Sequence, residues 1–380
     1  MAKLTFSWIV ILAIAGCSGP PSLKSPAAAS PEADASKMSG PVSGPFTSQE
    51  LLQFVALDPI DTHTHIDQTA PAFLALLQRL NMHVLDILVA HTPDQKALDT
   101  QSEQAWNFVK TSQGRATLCT TFNPFGYRTP NFTRTVLAQI NHDFDQGAVA
   151  VKIWKNIGEQ VKDAKGNYIL PDNPIFEPIY RDIARQNKTL IAHVADPNTI
   201  WEAPNPAAPD YSYYTEHPEW YMYGRANAPS KEAILLSRDH LLEINPKLRV
   251  VGAHLGSMEA DFDQLGKRLD RYPNFAVDIA ARMPYLVMKS RPDMIVFIEK
   301  YQDRLIYATD NEFPAEAKAE EAIRSWENTY AFDWRFFATN DTLEYHGHKV
   351  QGLALPAPIL RKLYHDNAVK WFPGILATTR

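Results

Sequence analysis

Short runs of apolar residues alternate along this chain with longer segments in which apolar residues recur at helical spacing. Residues 72–80 carry apolar side chains three and four positions apart, which predicts an amphipathic helix. Residues 84–90 and 116–122 are short, largely apolar runs, and such runs predict buried strands. The eight predicted strands lie at residues 56–65, 84–90, 116–122, 148–154, 189–194, 248–254, 275–280 and 304–310.

This order of elements predicts the fold class. Strands that alternate with helices are typical of a parallel sheet with helices packed against it. Eight such strands predict a closed (β/α)8 barrel, the TIM barrel, rather than an open sheet. A chain of 380 residues that is 45% hydrophobic is long enough and apolar enough for one large domain of this kind. We place this α/β domain at residues 46–380.

Polar residues of metal-ligand type accompany several of the predicted strands. His63 and His65 lie at the end of the first one, and their spacing of two places both side chains on the same face of the strand. Two neighbouring imidazoles of this kind suit a single metal ion. Other candidate residues lie within or at the end of later runs, namely Lys152, His193, His254 and Asp310. Because barrel enzymes carry their catalytic residues at strand ends, the set predicts an active site.

The order of these residues resembles the amidohydrolase superfamily. Its pattern is His-x-His on the first strand, in some members a lysine on the fourth, histidines on the fifth and sixth, and an aspartate on the eighth. The chain is most similar to the amidohydrolase-related branch (amidohydrolase 2), which contains metal-dependent hydrolases and decarboxylases. Residues 250–257 and 364–372 share the resemblance, which covers about residues 50–375. It implies a barrel with metal chemistry and is much less specific for the substrate.

The resemblance also implies a division of roles within the site. The expected metal ligands are His63, His65, His193 and Asp310. Zinc is the expected ion because it accepts mixed nitrogen and oxygen ligands, and manganese, iron and cobalt are the alternatives. Such an ion lowers the pKa of bound water to about 7 and supplies hydroxide at neutral pH. Asp310 would carry the proton to the leaving group, and His254 would polarise the carbonyl or stabilise the oxyanion.

The expected number of ions depends on Lys152. A carbamylated Lys152 would bridge two ions, whereas a free lysine would bind the substrate, and we expect one ion with a free lysine. Lys155 and Arg225 are the other residues expected to bind the substrate. Asp278, in the seventh predicted strand, is expected to pair with Arg282 or with the backbone rather than to act on the substrate.

Three functions are compatible with the sequence. The leading hypothesis is a metal-dependent hydrolase that attacks an amide, ester or lactone carbonyl with metal-bound hydroxide. The first alternative is a non-oxidative decarboxylase of an aromatic or unsaturated carboxylic acid, since the same branch performs both reactions. The second is a non-catalytic surface lipoprotein that uses the barrel for binding, although a binding protein needs no base at Asp310. The expected partner for the site is a small carbonyl or carboxylate compound.

The longest irregular segment, residues 197–230, lies between the fifth and sixth predicted strands and is rich in tyrosine and tryptophan. In a barrel it belongs on the catalytic face, where such insertions form substrate lids. A packed excursion with its own small core is the alternative, and the sequence leaves both open.

The beginning of the chain predicts export and lipid attachment. Residues 1–16 contain Lys3 and an apolar stretch too short to span a bilayer, which is typical of a signal peptide. The segment that ends at Cys17 resembles a bacterial lipobox, which implies cleavage before Cys17 and its lipidation. Residues 17–45, rich in Pro, Ser and Ala, predict a flexible tether. With Ser18 next, we expect a protein of the bacterial cell envelope, anchored in the outer membrane and facing the periplasm.

Charge and cysteine content restrict the remaining partners. A net charge of -6 without a basic footprint argues against nucleic-acid binding. Once Cys17 is lipidated, Cys119 is the second of the two cysteines and has no partner for an intramolecular disulfide. A homo-oligomer is left open by the sequence.

Overall fold

The computed structural model describes residues 45–206 and 210–376. The predicted signal peptide, the predicted tether up to residue 44 and the last residues of the predicted barrel domain, 377–380, lie outside the described residues. Phe46 belongs to the packed domain, because it is buried and its ring centroid lies 5.0 Å from that of Phe54.

The strands form one parallel sheet that curls into a barrel. Consecutive strands pair with each other from β1 to β8, and β9 pairs in parallel with β1. The strands are β1 (Ile60–Ile66), β2 (His83–Ile87), β3 (Ala116–Thr121), β4 (Ala150–Ile153), β5 (Thr189–Ala192), β6 (Arg249–Gly252), β7 (Phe275–Asp278), β8 (Leu305–Ile306) and β9 (Asn311–Phe313).

Strands β8 and β9 are two parts of one interrupted strand, and this strand closes the barrel. Between them Asp310 has a left-handed backbone with a φ of 68°. Its N–H donates to the carbonyl oxygen of His63 at 2.8 Å, and the N–H of Thr62 donates to the carbonyl oxygen of Tyr307 at 3.2 Å. These bonds join the eighth strand to the first, and the predicted (β/α)8 barrel is confirmed.

The first strand begins later than predicted. Residues 56–59 follow the helix Ser48–Val55, and the strand begins only at the next residue. Asp58 has a φ of 50°, which is incompatible with a strand, and Pro59 has no backbone N–H to donate to a neighbour. The histidine motif lies in β1, as predicted.

Each of the other seven strands is found where it was predicted, but ends before its apolar run does. As a result His193, His254 and Asp310 lie in the segments that follow β5, β6 and β8. The backbones of His254 and Asp310 are left-handed, with φ of 58° and 68°, so neither residue can continue a regular strand ladder. The polar residues thus mark the points where the strands stop.

Helices alternate with the strands, and the predicted helix at 72–80 is found at Pro71–Arg79. The other helices of five or more residues in the described part of the chain are Ser48–Val55, Gln95–Thr111, Phe132–Gln146, Glu177–Arg185, Tyr211–Glu216, Lys231–Ile244, Phe262–Arg271, Met283–Met288, Arg291–Tyr301, Ala319–Ala338, Ala357–Arg361, the π-helical Lys362–Asp366 and Asn367–Trp371. A small antiparallel hairpin joins Thr342–Tyr345 to His348–Gln351.

None of the described helices has the length and apolar character that crossing a membrane requires.

Two hydrophobic clusters hold the barrel together. The smaller draws residues such as Leu85, Ile191 and Ile306 from strands all around the sheet, and therefore fills the barrel interior. Trp371 and Phe372 from the last helical segment pack into the same cluster. The larger cluster packs the helices against the outer face of the strands. The barrel interior is thus a packed core rather than a channel.

The segment 197–230 both packs around a small core and lines a cavity on the catalytic face. Its described part has a small core of its own, in which Tyr214, Trp220 and Met222 are buried. The same segment also forms one wall of the cavity described below, through Tyr213, His217, Glu219, Trp220 and Arg225.

Candidate metal centre

A single cavity of about 1160 Å³ brings together residues from distant parts of the sequence. It lies where strands β1, β4, β5, β6 and β8 end, which is the catalytic face of a barrel. All the predicted site residues line it, namely His63, His65, Lys152, Lys155, His193, Arg225, His254 and Asp310. Their roles are considered one by one.

The most compact group of potential ligands consists of His63, His254 and Asp310. One donor atom from each residue lies within 4.8 Å of the others. His63 Nε2 is 3.3 Å from Asp310 Oδ1, and His65 Nε2 is also 3.3 Å from that oxygen. The rings of His63 and His254 have centroids 4.9 Å apart. The structure thus places a donor atom of His254, which we expected to contact the substrate, within 4.8 Å of the donor atoms of His63 and Asp310.

Backbone carbonyl groups fix the orientation of two of these imidazoles. Nδ1 of His65 donates to the carbonyl oxygen of Ile87 at 2.8 Å, and Nδ1 of His254 donates to that of Ala280 at 2.8 Å. A carbonyl oxygen only accepts, so the proton of a neutral ring must be on Nδ1. Nε2 of each ring then carries a lone pair, which is the form that binds a metal ion.

The third imidazole is oriented by a carboxylate. Nδ1 of His63 lies 3.0 Å from Asp278 Oδ2, and both side chains are 1% exposed. The other oxygen of Asp278 accepts from the backbone N–H groups of His254 and Ala280, at 2.7 and 3.1 Å. Pairing with the backbone was expected for Asp278, and the contact with His63 was not. The other expected partner, Arg282, instead lies 3.7 Å from Glu259.

Lys152 is buried next to the same histidine. Its side chain is 1% exposed, and Nζ lies 2.9 Å from His63 Nε2. Burial lowers the pKa of Lys152, although the charges of Asp278 and Asp310 act in the opposite direction. A lysine with a lowered pKa in this position is suited either to carbamylation or to contact with a substrate anion.

His193 is turned towards a carboxylate that sequence reasoning missed. Its Nε2 lies 3.2 Å from Asp196 Oδ1, and Lys155 Nζ donates to the other oxygen at 2.6 Å. Burial lowers the pKa of His193 to about 4, against the opposing effect of Asp196. His193 remains next to the group, since its ring centroid is 4.4 Å from that of His254. It lies beside the compact ligand group rather than within it.

The two other expected substrate ligands already have partners. The charge of Lys155 is matched by Asp196, and its Nζ also lies 4.1 Å from the ring centroid of Trp220. Arg225 donates to the carbonyl oxygens of Pro218 and Glu219 at 3.1 and 2.5 Å. Both cations line the cavity, but Lys155 has no uncompensated charge to offer a carboxylate.

The environment of the centre shifts the pKa of its carboxylate and of its imidazoles in different directions. Burial would raise the pKa of Asp310, but His63, His254 and His65 hold that pKa well below its usual range. Burial and the neighbouring His193 lower the pKa of His254 well below its ordinary value. Burial would lower the pKa of His65, but the hydrogen bond to Asp310 and the charge of that carboxylate raise it. With neutral rings, the centre offers an anionic oxygen and Nε2 lone pairs, a donor set that fits a divalent ion such as zinc, manganese, iron or cobalt.

Two carboxylates that shape the site were not predicted to do so. Asp196 follows His193 by three positions, and that short spacing is a signal that sequence analysis can use. Asp278 is the last residue of β7, which is the same type of position that identified the other site residues. Its partner could not be read from the sequence, because His63 is 215 residues away.

The chain matches the sequence profile of a family described as Amidohydrolase over residues 60–374, which is the barrel from β1 onwards. A candidate amidohydrolase from Staphylococcus aureus has a similar structure, with a TM-score of 0.50 and 12% sequence identity. The alignment covers 83% of this chain and 99% of that chain. At this identity the likeness concerns the fold alone. No curated protein matches the sequence of this chain.

Two decarboxylases are similar at lower scores. A 2,6-dihydroxybenzoate decarboxylase complexed with 2,6-dihydroxybenzoate has a TM-score of 0.46 and 14% identity, with 82% of this chain and 99% of that chain covered. A 5-carboxyvanillate decarboxylase from Novosphingobium aromaticivorans DSM 12444, complexed with manganese, has a TM-score of 0.44 and 14% identity, with 83% and 95% covered. Likeness at these scores carries no argument about activity.

Proposed function

This chain belongs to the amidohydrolase family, and on that premise we propose that it is a metal-dependent hydrolase of an amide, ester or lactone. Members of this family are enzymes, and they include hydrolases and decarboxylases. The observation that supports a metal-dependent reaction is the common orientation of His63, His65 and His254. Each ring donates from Nδ1 to a fixed acceptor, and Nε2 of His63 and of His65 lies 3.3 Å from the carboxylate of Asp310.

One ion would be held by His63, His65 and Asp310, with His193 completing the set if it turns from Asp196. We propose zinc, because nitrogen and carboxylate donors together suit it. An ion of this kind, when bound, supplies a Lewis acid and lowers the pKa of water to about 7.

The chain's own residues would move the proton. Asp310 is kept anionic by the surrounding histidines, so its carboxylate can accept a proton from water and return it to the leaving group. His254 cannot donate to an oxyanion in its neutral form, because the proton of the ring is on Nδ1. His254 could therefore stabilise an oxyanion only after Nε2 takes up a proton from solvent, and it would then donate a hydrogen bond from Nε2 to the substrate.

Lys152 would bind the substrate in a site with one ion. Its Nζ is buried at the wall of the cavity, next to His63, where a carbonyl or carboxylate oxygen can reach it. Lys152→Ala should keep its metal and mainly raise KM. A loss of bound metal in this variant, together with restoration of the wild type by bicarbonate, would favour a carbamate between two ions.

Decarboxylation of an aromatic acid is the second candidate, and a specific feature favours it. Aromatic side chains form part of the cavity wall, namely Phe125, Trp154, Tyr213 and Trp220. Flat aromatic surfaces of this kind suit an aromatic substrate. The hydrolytic proposal and this one differ in what is released, and not in the residues that would hold the ion.

The test is a comparison of two product assays on the same protein. Apoprotein is reloaded with zinc and then assayed on a panel of esters, lactones and amides, and for carbon dioxide release from a panel of aryl acids. Hydrolysis that requires zinc and is absent from His65→Ala supports the proposal. Carbon dioxide release without hydrolysis would replace it with decarboxylation, and tight substrate binding without either product would favour a binding role.

The proposed location is the bacterial cell envelope, with the barrel held at the outer membrane by a lipid on Cys17. The support is the lipobox-like sequence before Cys17 and the Pro-, Ser- and Ala-rich segment that follows.

A further inference from the structure

We infer that Asp278 is a positioning residue that fixes the proton of His63 on Nδ1 and holds the backbone that presents His254. The inference rests on the proposed metal-dependent function, which it deepens by naming a residue that prepares the site without touching the ion. Asp278 is the last residue of β7 and is 1% exposed.

The carboxylate of Asp278 accepts from three donors. Oδ2 lies 3.0 Å from Nδ1 of His63. Oδ1 accepts from the backbone N–H of His254 at 2.7 Å and from that of Ala280 at 3.1 Å. A carboxylate in its ionised form has no proton to donate, so Nδ1 of His63 must carry the proton in this contact. Nε2 is left with a lone pair.

The lone pair on His63 Nε2 matters because of where this atom lies. It lies 3.3 Å from Asp310 Oδ1 and 2.9 Å from Lys152 Nζ, at the centre of the compact group. A ring protonated at Nε2 would present a hydrogen to the ion instead of a lone pair. Groups that orient a metal-binding histidine in this way raise its basicity and fix its tautomer.

Asp278 also holds an unusual turn of the backbone in place. Four consecutive residues after β6 are left-handed, namely His254, Leu255, Gly256 and Ser257, with φ of 58°, 57°, 60° and 63°. Three of them have side chains, and for such residues the left-handed region is sterically unfavourable. A run of this kind persists only where surrounding contacts hold it in place.

Hydrogen bonds along the turn hold these left-handed residues in place. Asp278 accepts from its first N–H, that of His254. Arg238, which is fully buried, donates from Nη1 to the carbonyl oxygen of Gly256 at 2.6 Å, and Ser257 Oγ donates to that of Val194 at 2.7 Å. Of these three contacts, only that of Asp278 also reaches a second histidine of the site. One carboxylate therefore couples the ring of His63 to the backbone of His254.

Asp278→Asn tests the inference because it removes one acceptor and keeps the size. The remaining oxygen should stay with the two backbone N–H groups, so the amide nitrogen faces Nδ1 of His63. Nδ1 must then act as an acceptor, and the proton moves to Nε2. We expect zinc affinity to fall by about 10- to 100-fold, the range found when partners of metal-bound histidines are removed.

Asp143→Asn is the matched control. Asp143 is also a buried carboxylate, but it accepts from Thr120 Oγ1 at 2.5 Å and from Gln139 Nε2 at 3.4 Å, and neither residue lines the cavity. This variant should keep the zinc affinity of the wild type. Zinc affinity is measured on the apoproteins by competition with a chromophoric chelator, and circular dichroism verifies that each variant is folded.

A second measurement begins with the wild-type protein itself. Nitrogen-15 NMR of histidine-labelled wild-type apoprotein reports which ring nitrogen of His63 is protonated, with His63→Ala used to assign the signal. The inference predicts protonated Nδ1 in the wild type and protonated Nε2 in Asp278→Asn.

Protonated Nε2 in the wild type would overturn the inference, and so would an Asp278→Asn protein with unchanged zinc affinity. If the wild type has the predicted tautomer but binds no zinc, the proposed function fails while the positioning of His63 stands.

Discussion

Asp310 serves the candidate centre through both its backbone and its side chain. Its left-handed backbone interrupts the eighth strand, and its N–H donates to the carbonyl oxygen of His63. This places the carboxylate 3.3 Å from Nε2 of both His63 and His65. The imidazoles hold the pKa of Asp310 well below its usual range, against the effect of burial, so the carboxylate is ionised at neutral pH. An ionised carboxylate in this position can be both a ligand and a base.

Asp310→Asn should therefore reduce kcat by about 10²- to 10⁴-fold, the usual contribution of a general base, with substrate binding largely retained. The measurement is kcat and KM on the best substrate of the panel. Glu312→Gln is the control, since Glu312 is a nearby cavity-lining carboxylate that feels the charge of His65 but forms no hydrogen bond with an imidazole among the described contacts. Near wild-type turnover in Asp310→Asn, or an equal loss in both variants, would contradict the role as base.

His63, His65, His193, His254 and Asp310 could be predicted as site residues because residue type and position at a strand end are features of the sequence. The orientation of their rings could not be predicted. Nδ1 of His65 and of His254 is fixed by the backbone carbonyl groups of other segments, and a carbonyl oxygen is present at every residue whatever its type. Only the register between strands selects the carbonyl group that meets each ring.

At the scale of elements, the long helix Ala319–Ala338 is joined to the barrel by two buried carboxyl groups. Asp61 in β1 accepts from Tyr330 of the helix at 3.0 Å and from Thr309 at 2.6 Å. Asp333 of the helix accepts from Tyr307 at 2.8 Å. Burial raises the pKa of both Asp61 and Asp333 to about 7, so both carboxyl groups change charge near neutral pH.

This raised pKa predicts how stability depends on pH at Asp333. An aspartate in the unfolded chain has a pKa of about 3.9, so the folded state binds the proton more tightly. The stability that Asp333 contributes is complete below the unfolded pKa and is lost as the pH rises through about 7. Asparagine has no proton to lose and keeps an oxygen to accept from the hydroxyl group of Tyr307.

The free energy of unfolding of Asp333→Asn, relative to that of the wild type, should accordingly be higher at pH 8 than at pH 5. Between pH 5 and pH 8, this relative free energy of unfolding should rise by about 1–3 kcal/mol. Urea denaturation of both metal-free proteins at the two pH values measures it. The same difference at pH 5 and pH 8 would show that Asp333 does not titrate in this range.

The order of elements could be predicted, whereas their ends could not. Apolar runs located seven of the eight strands, because a parallel strand buried on both faces is apolar along its length. The start of the first strand was misplaced, because β1 is mostly polar and most of the apolar run 56–60 lies before it. Asp61, His63 and His65 are accommodated there by partners on the eighth strand, the seventh strand and the helix Ala319–Ala338. A strand stabilised by such distant partners has no apolar pattern to detect.

At the scale of the whole molecule, the chain combines a closed barrel with an N-terminal segment of very different composition. Residues 17–45 are the predicted tether, and they have few of the large apolar side chains that a packed structure requires. If a lipid on Cys17 holds the protein at a membrane, location and catalysis should be separable properties.

Cys17→Ser should release the protein from the membrane fraction and leave kcat and KM unchanged. The reason is that the variant removes the site of lipidation, whereas every residue of the candidate centre lies at position 63 or later. Fractionation of cells followed by assay of both fractions measures this. A Cys17→Ser protein that stays with the membranes would contradict lipidation at this position.

The central claim is that His63 and His65 hold one catalytic metal ion together with Asp310. The most direct test is the metal content of purified wild-type, His63→Ala and His65→Ala proteins, determined by elemental analysis after zinc loading and removal of free metal. We predict one ion per wild-type chain and loss of most of the bound metal in each variant, because each removes a nitrogen ligand. Stoichiometric zinc in both variants would show that the metal binds elsewhere and that His63 and His65 are not its ligands.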